Sequence, residues 1–170
     1  MLDAFPETDG ASRMKTLVVG IGNPDRGDDG IGSLVLRCLS GRLPPEVALR
    51  TRTGDMLALL DDWAGYDCAI CVDATEAGGN PGHVHRFDLT NQDLPRGLSF
   101  LSSHAMGLVD AVALARTLGL APARIIVYGI EGLCFDGGAA MTRAVADAAP
   151  VVAQHVMDDV RQLAPATANA

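Results

Sequence analysis

The stretch Thr16-Leu17-Val18-Val19-Gly20-Ile21-Gly22-Asn23-Pro24-Asp25-Arg26-Gly27-Asp28-Asp29-Gly30-Ile31-Gly32 decides the fold. Its first four residues form an apolar run that is typical of a fully buried strand. The chain then turns through glycines, Asn23 and Pro24. A helix is predicted from Gly30 to Leu43, because apolar residues recur there at helical spacing.

Two adjacent carboxylates stand where this helix begins. We expect Asp28 to be the N-cap residue, accepting a hydrogen bond from a backbone N–H of the first turn. Asp29 would then lie in the first turn with a free side chain, and the helix dipole would keep it ionised. An ionised carboxylate between a strand and a helix is a good metal ligand.

The glycines also suggest a dinucleotide site, which is the first alternative. The fingerprint G-x-G-x-x-G requires a third glycine at position 25, where this chain has Asp25. The three aspartates of the loop would repel a pyrophosphate, and no Walker-type lysine follows. A nucleotide-binding enzyme on a Rossmann-like sheet is therefore the weaker hypothesis.

Composition favours one acidic α/β domain. The chain has 170 residues, of which 48% are hydrophobic, and a net charge of −8, which argues against a nucleic-acid or anionic-membrane surface. No apolar run reaches the roughly 20 residues that span a bilayer. Residues 1–12 are acidic and lack the cationic start of a signal peptide. We expect a flexible extension over 1–13, one domain over 14–163 and a frayed tail over 164–170.

Four cysteines are present, and two of them have the C-x-x-C spacing of zinc and redox motifs. Cys68 and Cys71, however, lie in an apolar run that is predicted to be a strand. Residues three apart on a strand point to opposite faces, so these thiols cannot share a metal. We interpret the cysteines as buried apolar residues of a reducing, cytoplasmic compartment.

Strands and helices alternate along the rest of the chain. Strands are predicted over 47–53, 68–74, 83–88 and 124–130, and helices from Gly54-Asp55 to Trp63, over 105–119 and over 139–163. With the first strand this gives five strands. Alternation of this kind predicts a mostly parallel sheet covered by helices on both faces.

Three candidate metal ligands fall at the ends of predicted strands or at the start of the following helix. Asp29 follows the first strand, Asp73 ends the third, and His104 precedes the helix that leads to the last strand. In open α/β sheets, ligands bind beyond the carboxyl ends of the strands. Two carboxylates and one imidazole can hold a divalent first-row metal and leave positions open.

The remaining histidines and the common hydrolase motifs give weaker signals. His83 and His85 share one face of a predicted edge strand, and His155 lies in the last helix; we expect all three to be solvated. The motifs G-x-S-x-G and H-E-x-x-H are absent from the sequence. An ordinary serine or zinc peptidase is therefore disfavoured.

Four motifs together resemble one known family, the hydrogenase maturation endopeptidases, which process the large subunit of nickel–iron hydrogenases. The motifs are Gly20-Ile21-Gly22-Asn23 with Asp28-Asp29-Gly30-Ile31-Gly32, Val72-Asp73-Ala74 with Gly78-Gly79-Asn80-Pro81-Gly82, Ser103-His104-Ala105-Met106-Gly107-Leu108, and Arg52-Thr53-Gly54-Asp55. The resemblance runs from about residue 16 to residue 132, with order and spacing retained.

The resemblance implies a three-layer α/β/α sandwich with a mixed sheet, and an endopeptidase that removes the C-terminal extension of a hydrogenase large-subunit precursor after nickel insertion. The family's two acidic ligands and its histidine match Asp29, Asp73 and His104. Its substrate-recognition loop matches Thr53, Gly54 and Asp55. The nickel is expected to arrive with the substrate and not to be a resident cofactor, and the enzyme is expected to act as a cytoplasmic monomer.

A second hypothesis is a non-enzymatic protein in which the same three residues bind nickel. A nickel-handling accessory protein would bind nickel tightly by itself and leave the length of the precursor unchanged. The two hypotheses are separated by an assay of cleavage.

Overall fold

The computed structural model describes residues 14–76, 78–93 and 107–163. In chain order the elements are β1 (Thr16–Ile21), a 3-10 turn (Gly27–Gly30), α1 (Ile31–Leu39), β2 (Val47–Arg52), α2 (Ala58–Trp63), β3 (Cys68–Glu76), β4 (Val84–Asp88), α3 (Leu108–Leu118), β5 (Arg124–Gly132) and α4 (Arg143–Leu163). The predicted segments 1–13 and 164–170 lie outside the described residues and stay predictions.

The five strands form one mixed sheet in the order β2-β1-β3-β5-β4. All neighbouring pairs are parallel except β4, which runs antiparallel to β5 at the edge. The fold class and the edge position of β4 are therefore confirmed. The order places β3 at the centre, so the end of β3 is flanked by the ends of β1 and β5.

Successive side chains of β3 point to opposite faces of the sheet and so belong to two different core layers. Cys68, Ile70 and Val72 pack on one face with α1 and α4, whereas Ala69 and Cys71 pack on the other face with α2 and α3. Cys68 and Cys71 thus point to opposite faces, as the sequence predicts. Burial raises the pKa of Cys68 to about 12 and raises that of Cys71 as well, so both remain thiols at neutral pH.

Several element bounds differ from the sequence expectation. Helix α1 ends at Leu39, four residues early, and α2 begins at Ala58, since the Asp55 carboxylate accepts hydrogen bonds from the amides of Leu57 and Ala58 before the helix starts. Strands β3 and β5 are two residues longer than predicted, because they stay paired as far as Glu76 and Gly132. No helix in the described ranges is long and apolar enough to cross a membrane.

The start of α1 packs against the sheet at main-chain contact distance. A Cβ atom placed on Gly32 would lie 2.5 Å from the carbonyl oxygen of Ile21 and 2.8 Å from that of Val72. Only glycine at this position lets α1 approach both strands. This contact fixes the 3-10 turn, and with it both aspartates, above the ends of β1 and β3.

Replacing Gly32 with alanine is expected to lower the free energy of unfolding by about 3 kcal/mol, because backbone atoms cannot move aside as a side chain can. Gly137→Ala is the matched control, since a Cβ atom there meets nothing within 4 Å. Urea denaturation measures both variants. Equal stability of the two variants would contradict this packing argument.

Candidate functional site

Asp29 lies in the 3-10 turn, not in the first turn of α1, and it is only 3% exposed. Its Oδ2 accepts a hydrogen bond from the Asn23 amide at 2.9 Å, whereas its Oδ1 is buried with no partner among the described residues. The prediction that Asp29 has a free carboxylate, kept ionised by the helix dipole, is therefore wrong. Burial raises the pKa of Asp29, and the Asn23 amide and the Arg26 charge oppose that shift only in part.

Asp73 lies in β3 at the carboxyl end of the sheet and is fully buried. Its Oδ1 accepts a hydrogen bond from the Ala74 amide at 2.8 Å, and its Oδ2 has no partner in the part of the chain that the structure describes. Burial, followed by repulsion from the charge of Asp29, raises the pKa of Asp73 to about 8. The charge of Asp29 acts on Asp73, so the two carboxylates lie near one another, as the sequence predicts.

This pair of carboxylates has the donor chemistry of a partial cation site. Each presents one buried oxygen to which no described residue donates a hydrogen bond. A divalent cation would satisfy both oxygens and remove the repulsion between the two carboxylates. Within residues 14–76, 78–93 and 107–163, no three metal-ligating side chains are gathered closely enough to hold a metal alone. The third predicted ligand, His104, lies outside the described residues.

Comparison with known proteins identifies the family of this chain. The model of the hydrogenase maturation protease family matches residues 53–159, which is more than half of the chain. The chain belongs to the hydrogenase maturation protease family. It is 30% identical over 140 residues to the hydrogenase expression/formation protein HupD of Rhodobacter capsulatus, an alignment that covers 78% of this chain and 64% of HupD. The chain thus spans just under two thirds of that relative.

Further similar proteins are also named as hydrogenase maturation enzymes. The hydrogenase 2 maturation protease of Escherichia coli is 30% identical over 121 residues, which cover 69% of this chain and 73% of that protein. Among solved structures, the hydrogenase maturating endopeptidase HybD from E. coli superposes with a TM-score of 0.71, at 24% identity, over 88% of this chain and 93% of that chain. This similarity confirms the α/β fold of the family.

The predicted substrate loop of this family member, Thr53-Gly54-Asp55, follows β2 beside the aspartate pair. The Gly22 amide donates to the Arg52 carbonyl at 2.9 Å, so the start of this loop is tied to the residue that precedes Asn23. Arg52 is fixed in turn, since its guanidinium binds the buried carboxylate of Asp62 in α2. Thr53 and Asp55 are exposed, and their role in binding stays a prediction.

Asp28 has a different role from the N-cap that the sequence predicts. Helix α1 begins after Gly30 and has no side-chain cap. The fully buried Asp28 carboxylate instead accepts hydrogen bonds from the amides of Leu133 (2.8 Å), Cys134 (3.0 Å) and Thr142 (2.6 Å). The Thr142 hydroxyl donates as well, at 2.9 Å. Asp28 therefore joins the 3-10 turn to the loop between β5 and α4.

A histidine–glutamate pair near the same edge of the sheet was missed by sequence reasoning. The His85 Nε2 and the Glu131 Oε1 lie 2.8 Å apart, and the His85 side chain is 27% exposed, so His85 is only partly solvated and has a partner that the sequence did not predict. The hydrogen bond from His85 lowers the pKa of Glu131. A charged residue within the apolar run of β5 was the available signal. His83 and His155 are exposed, as predicted.

A second buried carboxylate was also missed, on the opposite face of the sheet. Asp159 of α4 accepts hydrogen bonds from the Tyr128 hydroxyl and from the Arg86 guanidinium, at 2.5 and 2.7 Å. It thereby joins α4 to β5 and to the edge strand β4. This network lies in the core layer of α1 and α4, so we assign it to packing and not to the site.

Proposed function

We propose that this chain is an endopeptidase that removes the C-terminal extension of a nickel–iron hydrogenase large-subunit precursor. Family membership supports the peptidase activity and the precursor as substrate. The observation that carries the proposal is the pair of buried carboxylates, Asp29 and Asp73, each with an oxygen that lacks a donor among the described residues. Such a pair is poorly suited to holding the fold together but well suited to receiving a cation or activating water.

We further propose that nickel held by the precursor is the feature that this site recognises. Asp29, Asp73 and His104 would complete the coordination of that nickel, which enters and leaves with the substrate. Two carboxylates alone form an incomplete ligand set, and this fits a metal shared with a partner. The carboxylates then act next to the scissile peptide bond, where a water molecule attacks the carbonyl carbon.

The test is a cleavage assay on the purified precursor, with and without nickel, read by the mass of the released C-terminal peptide. Release of one defined peptide only from the nickel-loaded precursor is the expected result. Asp29→Asn is expected to slow release by about 10³-fold or more. Asp25→Asn, the same change at an exposed position of the same loop, is the matched control and leaves the rate unchanged.

Two outcomes would overturn parts of the proposal. Equal cleavage of the nickel-free precursor would remove nickel as the recognised feature. Tight binding of nickel by the isolated chain, with no release of peptide, would favour the accessory-protein hypothesis.

A further inference from the structure

The strand register places His85 on the same face of the sheet as Asp73. Asp73 of β3 pairs with Gly129 of β5, and Gly129 pairs with His85 of β4. Residues opposite one another in neighbouring strands share a face. The next residues toward the core confirm this face, since Cys71, Val127 and Phe87 all pack in the layer of α2 and α3.

Only strand β5 separates these two side chains. Asp73, Gly129 and His85 form one row across the three strands, and the middle residue of this row is a glycine. Two strand spacings place the Cα atoms of Asp73 and His85 about 10 Å apart. Because Gly129 has no side chain, the strand between them places no side chain between the carboxylate and the imidazole. The row lies at the carboxyl end of β3 and β5, where α/β folds bind their ligands.

Glu131 holds the His85 ring in one orientation. Glu131 is 7% exposed, and besides His85 its carboxylate accepts the Asn80 amide at 3.1 Å. Its main chain is fixed on both sides, since its amide donates to the His83 carbonyl and its carbonyl accepts from the Gly82 amide. The ring of His85 also packs on those of its neighbours, with centroids 4.6 Å from His83 and 6.1 Å from Phe87.

The pair has the composition of the carboxylate–imidazole unit of hydrolases. In that unit the carboxylate orients the ring and stabilises its protonated form, and the second ring nitrogen transfers the proton. Here Nε2 faces Glu131, and Nδ1 has no hydrogen-bond partner within the described ranges.

We propose that His85, oriented by Glu131, is the catalytic acid that protonates the leaving amine when the peptide bond is cut. This inference rests on the proposed endopeptidase function and adds a residue to it. The oxygen of water bonds to the carbonyl carbon and gives a proton to the carboxylate pair. The C–N bond then breaks, and its electron pair takes the proton from Nδ1 of His85. Proton return through solvent restores both groups, leaving one carboxyl and one amine product.

The test compares an amide and an ester at the same scissile bond, once the mass of the released peptide has located that bond. A semisynthetic precursor carries the ester. His85→Gln keeps an N–H that can reach Glu131 but cannot supply the proton. We expect its amide cleavage to fall by about 10²- to 10⁴-fold. Its ester cleavage is expected to fall less than about tenfold, because an alkoxide leaves with less help from an acid than an amine does.

Two further variants complete the experiment. His155→Gln replaces an exposed histidine of α4 and is expected to cleave both substrates at the wild-type rate. Glu131→Gln removes the orienting charge and is expected to give a smaller loss with the same preference for the ester. Equal losses on amide and ester in His85→Gln, or no loss on either, would overturn the role of His85. Failure of the wild-type protein to cleave the amide would instead overturn the proposed function.

Discussion

Replacing Asp73 with asparagine is expected to abolish cleavage and to stabilise the folded protein above neutral pH. The loss of cleavage follows from removing one of the two buried carboxylates, and we expect it to exceed about 10³-fold. The gain in stability follows from the pKa of Asp73, which burial and the charge of Asp29 raise to about 8 in the folded protein. An aspartate in an unfolded chain has a pKa near 4.

The sign of this pH effect follows from linkage. The folded state binds the proton of Asp73 more tightly than the unfolded state. The contribution of Asp73 to stability is therefore full below about pH 4 and is lost as pH rises toward 8. A pKa raised from about 4 to about 8 corresponds to a loss in the free energy of unfolding on the order of 5 kcal/mol. Asparagine does not titrate, so the stability difference between variant and wild type should grow across this range.

Urea denaturation at pH 5, 7 and 9 measures this difference, and Asp25→Asn serves again as the control. Since both proteins share all other titrating groups, the difference reports Asp73 together with its repulsion by Asp29. A difference that is constant from pH 5 to pH 9 would show that Asp73 is ionised throughout. Such a result would contradict the buried, repelled carboxylate that the structure describes.

Replacing Asp28 with alanine is expected to lower the free energy of unfolding by about 3 to 5 kcal/mol. The change removes the acceptor of the amides of Leu133, Cys134 and Thr142, and a hydrogen bond to a charged group contributes about 1.5 to 3 kcal/mol. Domains of this size have a total stability of about 5 to 15 kcal/mol, so the loss is a large share.

Hydrogen exchange resolves where that loss acts. In Asp28→Ala the amides of residues 133–142 should exchange much faster than in the wild type, whereas those of β3 should follow only the global change in stability. Thr142→Val is the milder comparison, because it removes one hydroxyl and keeps the amide bond to Asp28; about 1 kcal/mol is expected. A loss below about 1 kcal/mol in Asp28→Ala would argue against its role in fixing the loop.

Sequence periodicity was sufficient for the architecture of the sheet and for the places of Asp29 and Asp73 in it. The apolar run of β3 could be recognised, and the topology of α/β folds then placed Asp73 at its end and Asp29 nearby. The resemblance of the motifs named the family that the comparison confirms. The opposite orientation of Cys68 and Cys71 also followed from the strand period alone.

What sequence could not supply were contacts between residues far apart in the chain. Asp28 was assigned by a local rule to an N-cap, yet its partners lie more than 100 positions away. The His85–Glu131 pair joins two strands 46 positions apart, and only the antiparallel register brings them together. Local rules also assume solvent around a charged residue, which explains why the buried state of Asp29 was missed.

The 3-10 turn carries both Asp28 and Asp29, and this restricts insertions and deletions in the segment that precedes it. Three main-chain bonds join residues 25–28 to the loop before α4: Gly138 N to Asp25 O, Gly27 N to Ala139 O, and Asp28 N to Cys134 O. One inserted residue before the turn would shift the register, so that the wrong carboxylate would meet the loop and the other would leave the site. Most surface loops accept insertions, but the segment before the 3-10 turn is expected to accept substitutions only.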